Sequence, residues 1–183
     1  MGLFRFVFAS MLPVLAAAEA CYAAGEKDKP TEPPKEQNVV AHDSKSKGAL
    51  QVNTVNKKSS EWFVVAHDGK SAISGAPPVL NSTVELAPGA YVVTVNRTER
   101  KVTIDVGKKT ILWTGEIMVE GKRKGDFYAP FQGKERRLAT VEPLVNTPTA
   151  LFAGKYTVKV FGSMPKDLGE AEVTPGKRTV LKQ

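Results

Sequence analysis

From Gly48 onward, apolar and polar residues alternate along the chain with a period of two. In the segment AYVVTVN, Tyr91, Val93 and Val95 point to one side of an extended chain, and the residues between them point to the other. The segments KVTIDVG and KYTVKVF follow the same rule further along. Such alternation is typical of antiparallel strands with one buried face. After the first residues, no useful stretch shows the period of a helix, so an all-β fold is predicted.

Turn residues separate these strands at short intervals. Pro88-Gly89 and Pro175-Gly176 fit the central positions of type II turns, because proline presets its own φ and glycine adopts a positive φ. Further strands are predicted at residues 49–54, 62–66, 110–119, 127–131 and 137–141.

One stretch of the sequence occurs twice. Residues 78–95 align with residues 143–160 without a gap at a spacing of 65, and seven of the eighteen positions are identical. Gly107 and Gly176, which begin two similar turns, lie 69 residues apart, so the second copy is four residues longer there. We therefore predict two tandem, small antiparallel β-sandwich modules, at residues 48–120 and 121–183.

The repeated stretch resembles the PEGA-type and carboxypeptidase-regulatory-like modules of bacterial envelope proteins. Those modules commonly contain the pattern L-x-P-G-x-Y-x-V-x-V. The second copy here keeps all of it except the proline, which Ala153 replaces. The resemblance implies a small Ig-like β-sandwich that serves as an accessory or display element, generally without catalysis, and it transfers no binding residues. In the first copy the pattern is carried by Leu86, Pro88, Gly89, Tyr91, Val93 and Val95.

Residues 1–24 are predicted to be a signal peptide for export. Arg5 precedes an apolar run over residues 6–18, and small residues suited to signal peptidase follow. The run is short for a membrane span and is interrupted by Pro13. The exported protein is expected in the periplasm or at the cell surface. The alternative is a lipoprotein acylated at Cys21, although Glu19 lies where such sites usually have a small residue. If Cys21 is removed with the signal, the exported chain has no thiol.

Residues 25–47 are predicted to form a disordered linker. The segment is rich in Lys, Glu and Pro and lacks aromatic residues. It therefore has too little apolar surface to offset the entropy lost on ordering, and its prolines favour an extended spacer.

The charge of the chain indicates an anionic partner. The formal net charge is +7, and removal of the signal leaves it unchanged. In an exported protein this favours an envelope polyanion such as peptidoglycan or an acidic polysaccharide, while solubility alone is the other explanation. An envelope protein is the alternative partner. Contact with a membrane is expected only through an N-terminal anchor.

The candidate binding site is the segment EGKRKGDFYAPFQGKERR, residues 120–137. Its cations bracket three aromatic residues. Such mixtures suit sugars or anionic polymers, because aromatic rings stack on sugar rings and a guanidinium group binds a carboxylate or phosphate bidentately. Single-stranded nucleic acid would suit the same mixture, but export argues against that partner. The alternative is that these charges decorate the hairpin between the modules. The predicted binding residues are Lys122, Arg123, Lys124, Tyr128, Lys134, Arg136 and Arg137.

The side of each aromatic residue follows from the period of two. Phe127 and Phe131 share one side of the predicted strand and are expected in the core, which leaves Tyr128 facing out.

Catalytic chemistry has few candidates. His42 and His67, the only histidines, each precede an aspartate and could bind a divalent metal, but one lies in the predicted linker. The alternative places His67 at the rim of a hairpin. Glu116, Glu120 and Asp126 could form a carboxylate pair, but solvated charges are the simpler interpretation. Neither a G-x-S-x-G motif nor a phosphate loop occurs.

These observations predict an exported, non-catalytic protein that binds or assembles in the cell envelope, and no cofactor is expected. One alternative is a purely structural spacer or accessory subunit that docks by adding a β-strand at an open sheet edge. Another is a metal-dependent enzyme that uses His42 and His67.

Overall fold

The structure is a computed structural model that describes residues 34–67, 71–72, 75–123, 125–133, 136–137, 143–162 and 165–183. The predicted signal peptide, Cys21 and the first part of the predicted linker lie outside the described residues. The described chain is all-β, as the alternating pattern predicted. Its strands are β1 (Gln37–Ala41), β2 (Gly48–Asn53), β3 (Val64–His67), β4 (Ser71–Ala72), β5 (Thr83–Leu86), β6 (Gly89–Val95), β7 (Thr98–Ile104), β8 (Lys108–Trp113), β9 (Gly115–Glu120), β10 (Phe127–Gln132), β11 (Arg136–Arg137), β12 (Thr149–Leu151), β13 (Gly154–Phe161), β14 (Lys166–Val173) and β15 (Arg178–Lys182).

Strands β2–β8 and β9–β15 have the same topology. In the first repeat, residues 48–113, β2 pairs with β5 antiparallel and with β8 parallel, and a second sheet has the order β4-β3-β6-β7. In the second repeat, residues 115–182, β9 pairs with β12 antiparallel and with β15 parallel, and the second sheet has the order β11-β10-β13-β14. Strand β1 has no counterpart in this scheme and pairs antiparallel with β8.

Each repeat is a sandwich, because its two sheets enclose one apolar core. The first core takes side chains from β2, β3, β5, β6, β7 and β8. The second core takes side chains from β9, β10, β12, β13, β14 and β15. The predicted fold of two small tandem β-sandwiches is confirmed, but the sheets are not antiparallel throughout, because β2 pairs with β8 and β9 pairs with β15 in parallel.

A repeated tyrosine closes the same corner in both repeats. The Tyr91 hydroxyl donates to the carbonyl oxygen of Ala87 at 2.8 Å, and the Tyr156 hydroxyl donates to that of Phe152 at 2.6 Å. Burial raises the pKa of Tyr156 to about 12, so this hydroxyl stays a donor over the ordinary pH range. The repeated tyrosine in the sequence therefore marks a repeated hydrogen bond.

The two repeats are joined by packing and by hydrogen bonds. The Phe152 ring, in the second repeat, is fully buried in the core of the first repeat. Nearby, Asn96 Nδ2 donates to the carbonyl oxygen of Ala150 at 3.0 Å, and Arg100 Nη2 donates to that of Ala153 at 2.7 Å. Residues 32–183 accordingly form one compact unit.

The structure corrects three boundaries. The prediction of a disordered linker at residues 25–47 is wrong for Gln37–Ala41, because these residues form β1 on the edge of β8. The predicted strand at residues 110–119 is two strands, β8 and β9, divided at Thr114. Because β9 is the counterpart of β2, the second repeat begins at Gly115 and not at Gly121.

Candidate functional site

A groove of about 980 Å³ lies at one end of the second repeat. Strands β9 and β15 run parallel, with Glu120 opposite Lys182, so both strands end at the same edge of their sheet. The loop after β9 and the start of β14 complete the walls. The lining residues are Met118, Glu120, Gly121, Lys122, Arg123, Asn146, Pro165, Lys166, Lys182 and Gln183.

Reciprocal hydrogen bonds hold the wall of this groove. Gly121 N–H donates to Asn146 Oδ1 at 3.2 Å, and Asn146 Nδ2 donates back to the Gly121 carbonyl oxygen at 2.9 Å. Asn146 adopts a φ of 70°, which asparagine tolerates better than most residues. Gln183 N–H donates to the Glu120 carbonyl oxygen at 2.9 Å, and its Nε2 donates to Asp126 Oδ2 at 2.9 Å. The loop that carries Lys122 is therefore anchored where it begins.

The groove is positively charged. Lys122, Arg123, Lys166 and Lys182 line it, whereas Glu120 is the one acidic residue among the described residues of its lining. The ammonium groups of the three lysines form no ion pair with any residue that the structure describes. Four cations that converge from three separate segments attract anions more strongly than cations scattered over a surface.

The structure brings two of the predicted binding residues together and separates others. Lys122 and Arg123 line the groove. Arg136 and Arg137 form β11, which pairs with the last residues of β10. Strand β10 starts at Phe127 and spans roughly 17 Å at about 3.4 Å per residue. The predicted single cluster is thus divided between the two ends of β10, and Lys124 and Lys134 lie outside the described residues.

The prediction that Tyr128 faces a ligand is wrong. The Tyr128 side chain is fully buried, and its hydroxyl donates to the carbonyl oxygens of Ile117 at 2.8 Å and Thr147 at 2.6 Å. Burial raises the pKa of this hydroxyl. Because the core is built around this ring, Tyr128 cannot be presented to a ligand.

Phe127 and Phe131 were predicted in the core and instead lie on the outer face of the same sheet, where each is only partly buried. The Phe127 ring stacks on Phe161 with centroids 5.5 Å apart, and the Phe131 and Phe161 centroids are 6.4 Å apart. Lys159 Nζ lies 5.6 Å from the centroid of the Phe131 ring. The aromatic residues are therefore separate from the charged groove, on the outer side of β10 and β13.

Sequence reasoning missed Lys166 and Lys182. Both lie more than forty residues after Lys122, at the start of β14 and the end of β15. No local pattern marks them, because their place in the groove depends on the pairing of strands that are distant in sequence.

The two histidines lie apart, because His42 follows β1 of one sheet whereas His67 belongs to β3 of another. His42 follows β1, and its Nε2 is 3.8 Å from Glu85 Oε1. His67 ends β3, and its ring meets the Tyr91 ring edge-on with centroids 5.1 Å apart. Within the described ranges, no group of three His, Cys, Asp or Glu side chains is placed to hold a metal ion.

The expectation of solvated carboxylates is wrong for Glu116. This side chain is buried, and its Oε2 accepts from Arg178 Nε at 2.8 Å and from Nη2 at 2.7 Å. Its Oε1 accepts from the Thr54 hydroxyl at 2.9 Å and from Asn56 N–H at 2.7 Å. Glu116 thus has a structural role, since each oxygen is occupied by protein donors.

A smaller cleft of about 270 Å³ lies where the repeats meet, beside the half-exposed ring of Trp62. Glu61 lines it, and burial raises the pKa of this carboxyl even though hydrogen bonds from Asn96, Ala150 and Ser59 oppose the shift. Ala150 N–H donates to both Glu61 oxygens, at 3.3 and 3.2 Å. Glu61 therefore links the first repeat to the second.

Comparisons with known proteins give little further information. No family model matches the chain, and no curated protein matches it. The Bacillus anthracis TIE protein is similar over 75% of this chain and 33% of its own, with 14% identity and a TM-score of 0.32. A leucine-rich repeat protein from Bacteroides thetaiotaomicron is similar over 81% of this chain and 26% of its own, with 12% identity and a TM-score of 0.23. The chain thus spans about a third or less of either structure. In the described part of the chain, no helix has the length and apolar character that a membrane span needs.

Proposed function

We propose that this protein is an exported, non-catalytic binding protein whose basic groove holds an anionic polymer of the cell envelope, either peptidoglycan or an acidic polysaccharide. The single observation that carries the proposal is the convergence of Lys122, Arg123, Lys166 and Lys182 on one groove. The site takes the polymer in an extended form, because the groove lies open at the end of a sheet and is not an enclosed cavity.

The chemistry of the groove favours a polymer over a small anion. The three lysine ammonium groups are compact charges on flexible stems and can each follow a carboxylate or phosphate along a chain. The side chains of Asn146 and Gln183 hold the wall through their own hydrogen bonds, which keeps the cations in place around the groove. A repeating anion would contact several of these cations at once, so weak contacts would add together.

Export remains part of the proposal. It is supported by the charge at Arg5 and the apolar run at residues 6–18. The resemblance to envelope modules supports a role in the envelope without catalysis. The spacer role predicted as an alternative would require neither a charged groove nor a polymer.

The test is retention of the purified protein on insoluble peptidoglycan and on an immobilised acidic polysaccharide. The variant K166A/K182A removes two groove lysines, and the variant K57A/K58A removes two exposed lysines from a loop of the first repeat. The two variants have the same net charge. We expect K166A/K182A to weaken retention about tenfold, equivalent to about 1.4 kcal/mol, and K57A/K58A to change it little.

Salt provides a second measurement. Raising the ionic strength from 0.1 M to 1 M shortens the Debye length from about 10 Å to about 3 Å, so retention through the groove should fall steeply. Equal losses in the two double variants would show that total charge and not the groove determines retention. Failure of the unmodified protein to bind either polymer at low salt would overturn the proposal.

A further inference from the structure

The two repeats differ at an equivalent sheet edge. In the first repeat, β8 pairs with β2 on one side and with β1 on the other. Its counterpart β15 pairs with β9, and no other strand of the described chain pairs with it. An edge strand of this kind presents a row of backbone groups that can pair with another chain.

The hydrogen bonds at both ends of β15 show which groups face the open edge. The Lys177 carbonyl oxygen accepts from Glu116 N–H at 2.9 Å, and Gln183 N–H donates to the Glu120 carbonyl oxygen at 2.9 Å. Backbone groups of alternate residues in a strand point in opposite directions. The odd-numbered residues therefore face β9. Arg178, Val180 and Lys182 direct their N–H and C=O groups to the open edge.

The first repeat shows what such an edge binds. The counterparts of these three residues are Lys109, Ile111 and Trp113, and they face β1. Trp113 N–H donates to the Glu36 carbonyl oxygen at 2.9 Å. Strand β1 is an extended antiparallel segment of five residues. The same backbone arrangement in β15 fits a segment of the same length and direction.

Side-chain burial agrees with this difference. Thr110 and Leu112 in β8 are 2% and 1% exposed, whereas their counterparts Thr179 and Leu181 are only partly buried. Val180 is 42% exposed, which is high for an apolar residue in the middle of a strand. The edge of β15 is therefore less covered than the edge that β1 occupies.

The charges at the β15 edge favour an acidic strand over a second copy of β15. Two copies of β15 paired antiparallel about Val180 would place Arg178 opposite Lys182, and like charges directly opposite are unfavourable. Lys182 also lies beside Lys122 and Lys166 in the basic groove. A strand that pairs antiparallel with β15 begins at Lys182, so acidic residues at its start would meet these cations.

We propose that the β15 edge binds an extended segment of a partner protein, which adds as an antiparallel strand with acidic residues at its N-terminal end beside Lys182. The segment takes the place on β15 that β1 takes on β8. The backbone supplies the binding, and the groove lysines select acidic segments over basic ones. The backbone edge of this surface is distinct from the polymer site, but at its Lys182 end it shares the groove lysines with that site.

The test uses two synthetic peptides derived from KEQNVVA, the chain's own sequence at residues 35–41. The acidic peptide is EEQNVVA, and the matched basic peptide is KKQNVVA. Amide hydrogen exchange of the full protein is followed by NMR with each peptide. We expect the acidic peptide to slow exchange at Val180 and Lys182 at least about tenfold at saturation. The amides of Ile111 and Trp113 should exchange slowly in the free protein, because they face β1. They should stay slow with the peptide, which would show that the peptide has not displaced β1.

A pair of variants separates the backbone from the side chain. Val180→Pro removes the backbone N–H that faces the open edge and leaves the hydrogen bonds to β9 intact. Val180→Thr keeps this N–H and changes only the side chain. We expect the proline variant to lose the peptide effect and the threonine variant to keep it, while both retain the polymer as the unmodified protein does. The proposal is overturned if Val180 and Lys182 already exchange slowly in the free protein. Equal effects of the two peptides, or binding that survives in Val180→Pro, would also overturn it.

Discussion

The two repeats share a topology but differ at three equivalent positions. Ala87 is exposed in the first repeat, whereas its counterpart Phe152 is buried in the core of the other repeat. Ala49 in β2 corresponds to Glu116 in β9, whose buried carboxylate pairs with the partly exposed Arg178. Strand β8 is covered by β1, and β15 is not covered by any described strand. One strand pattern therefore supports two different tasks. The first repeat is covered by β1 at its sheet edge and by Phe152 at its core. The second repeat supplies the Phe152 ring, the basic groove and the open β15 edge.

The largest effect should come from Phe152→Ala, which gives the second repeat the residue that the first has at Ala87. Removing a fully buried phenylalanine costs about 3–5 kcal/mol because a cavity remains. Both tryptophans, Trp62 and Trp113, lie in the first repeat, so fluorescence follows that repeat while far-ultraviolet circular dichroism follows the whole chain. We expect the fluorescence transition in urea to move to lower concentration and to separate from the dichroism transition.

The matched control for this prediction is Phe131→Ala. The Phe131 ring is partly exposed on the outer face of the second repeat and does not contribute to either core. We expect a smaller loss of stability, and the two transitions should stay coincident. Equal losses in the two variants would show that Phe152 does not couple the repeats.

The second effect concerns the ion pair that only the second repeat has. Arg178→Ala leaves the buried Glu116 carboxylate without its cation, and an uncompensated buried charge of this kind costs about 3 kcal/mol. Lys109→Ala at the counterpart position should cost no more than about 0.5 kcal/mol. Urea unfolding of both variants measures the difference. Similar costs for the two would contradict the view that Glu116 needs Arg178.

The fold could be predicted from the sequence, whereas the groove could not. Alternation in segments such as 90–96 is a local property, so it gives both the strands and their inward faces. Strand β1 was missed because it is short and lies in a Lys-, Glu- and Pro-rich segment. Only pairing with β8, about seventy residues later, orders it. The groove depends in the same way on the parallel pairing of β9 with β15.

The aromatic residues of β10 show the limit of periodicity. A period of two establishes that Phe127 and Phe131 share one side, but it does not say which side is buried. Tyr128 lies in the core instead, and its hydroxyl donates to carbonyl oxygens inside the second repeat. Phe127 and Phe131 remain on the outside because Phe161 lies there beside them. A tyrosine between two phenylalanines gives no sequence signal for this choice.

The smallest effect concerns Glu61, the acid at the junction of the repeats. Burial raises the pKa of Glu61 above its ordinary value of 4.5, so the folded protein keeps this proton to a higher pH than the unfolded chain does. The contribution of Glu61 to stability is therefore largest below pH 4.5 and is lost as the pH rises through the folded-state value. Glu61→Gln removes this titration and keeps the hydrogen-bond acceptor for Ala150.

We therefore expect the stability of Glu61→Gln, relative to the unmodified protein, to rise as the pH increases from about 4.5 toward neutrality and then to level off. Urea unfolding across this range, followed by tryptophan fluorescence, measures the difference. Glu172→Gln, at an exposed position of β14 in the second repeat, is the control for the loss of one carboxylate, and an equal rise in that variant would show that the effect is not specific to Glu61. A flat difference for Glu61→Gln would mean that the carboxyl is solvated and does not lie buried between the repeats. If the relative stability of Glu61→Gln instead fell as the pH rises, folding would lower the pKa of Glu61, and the junction would favour the ionised carboxylate.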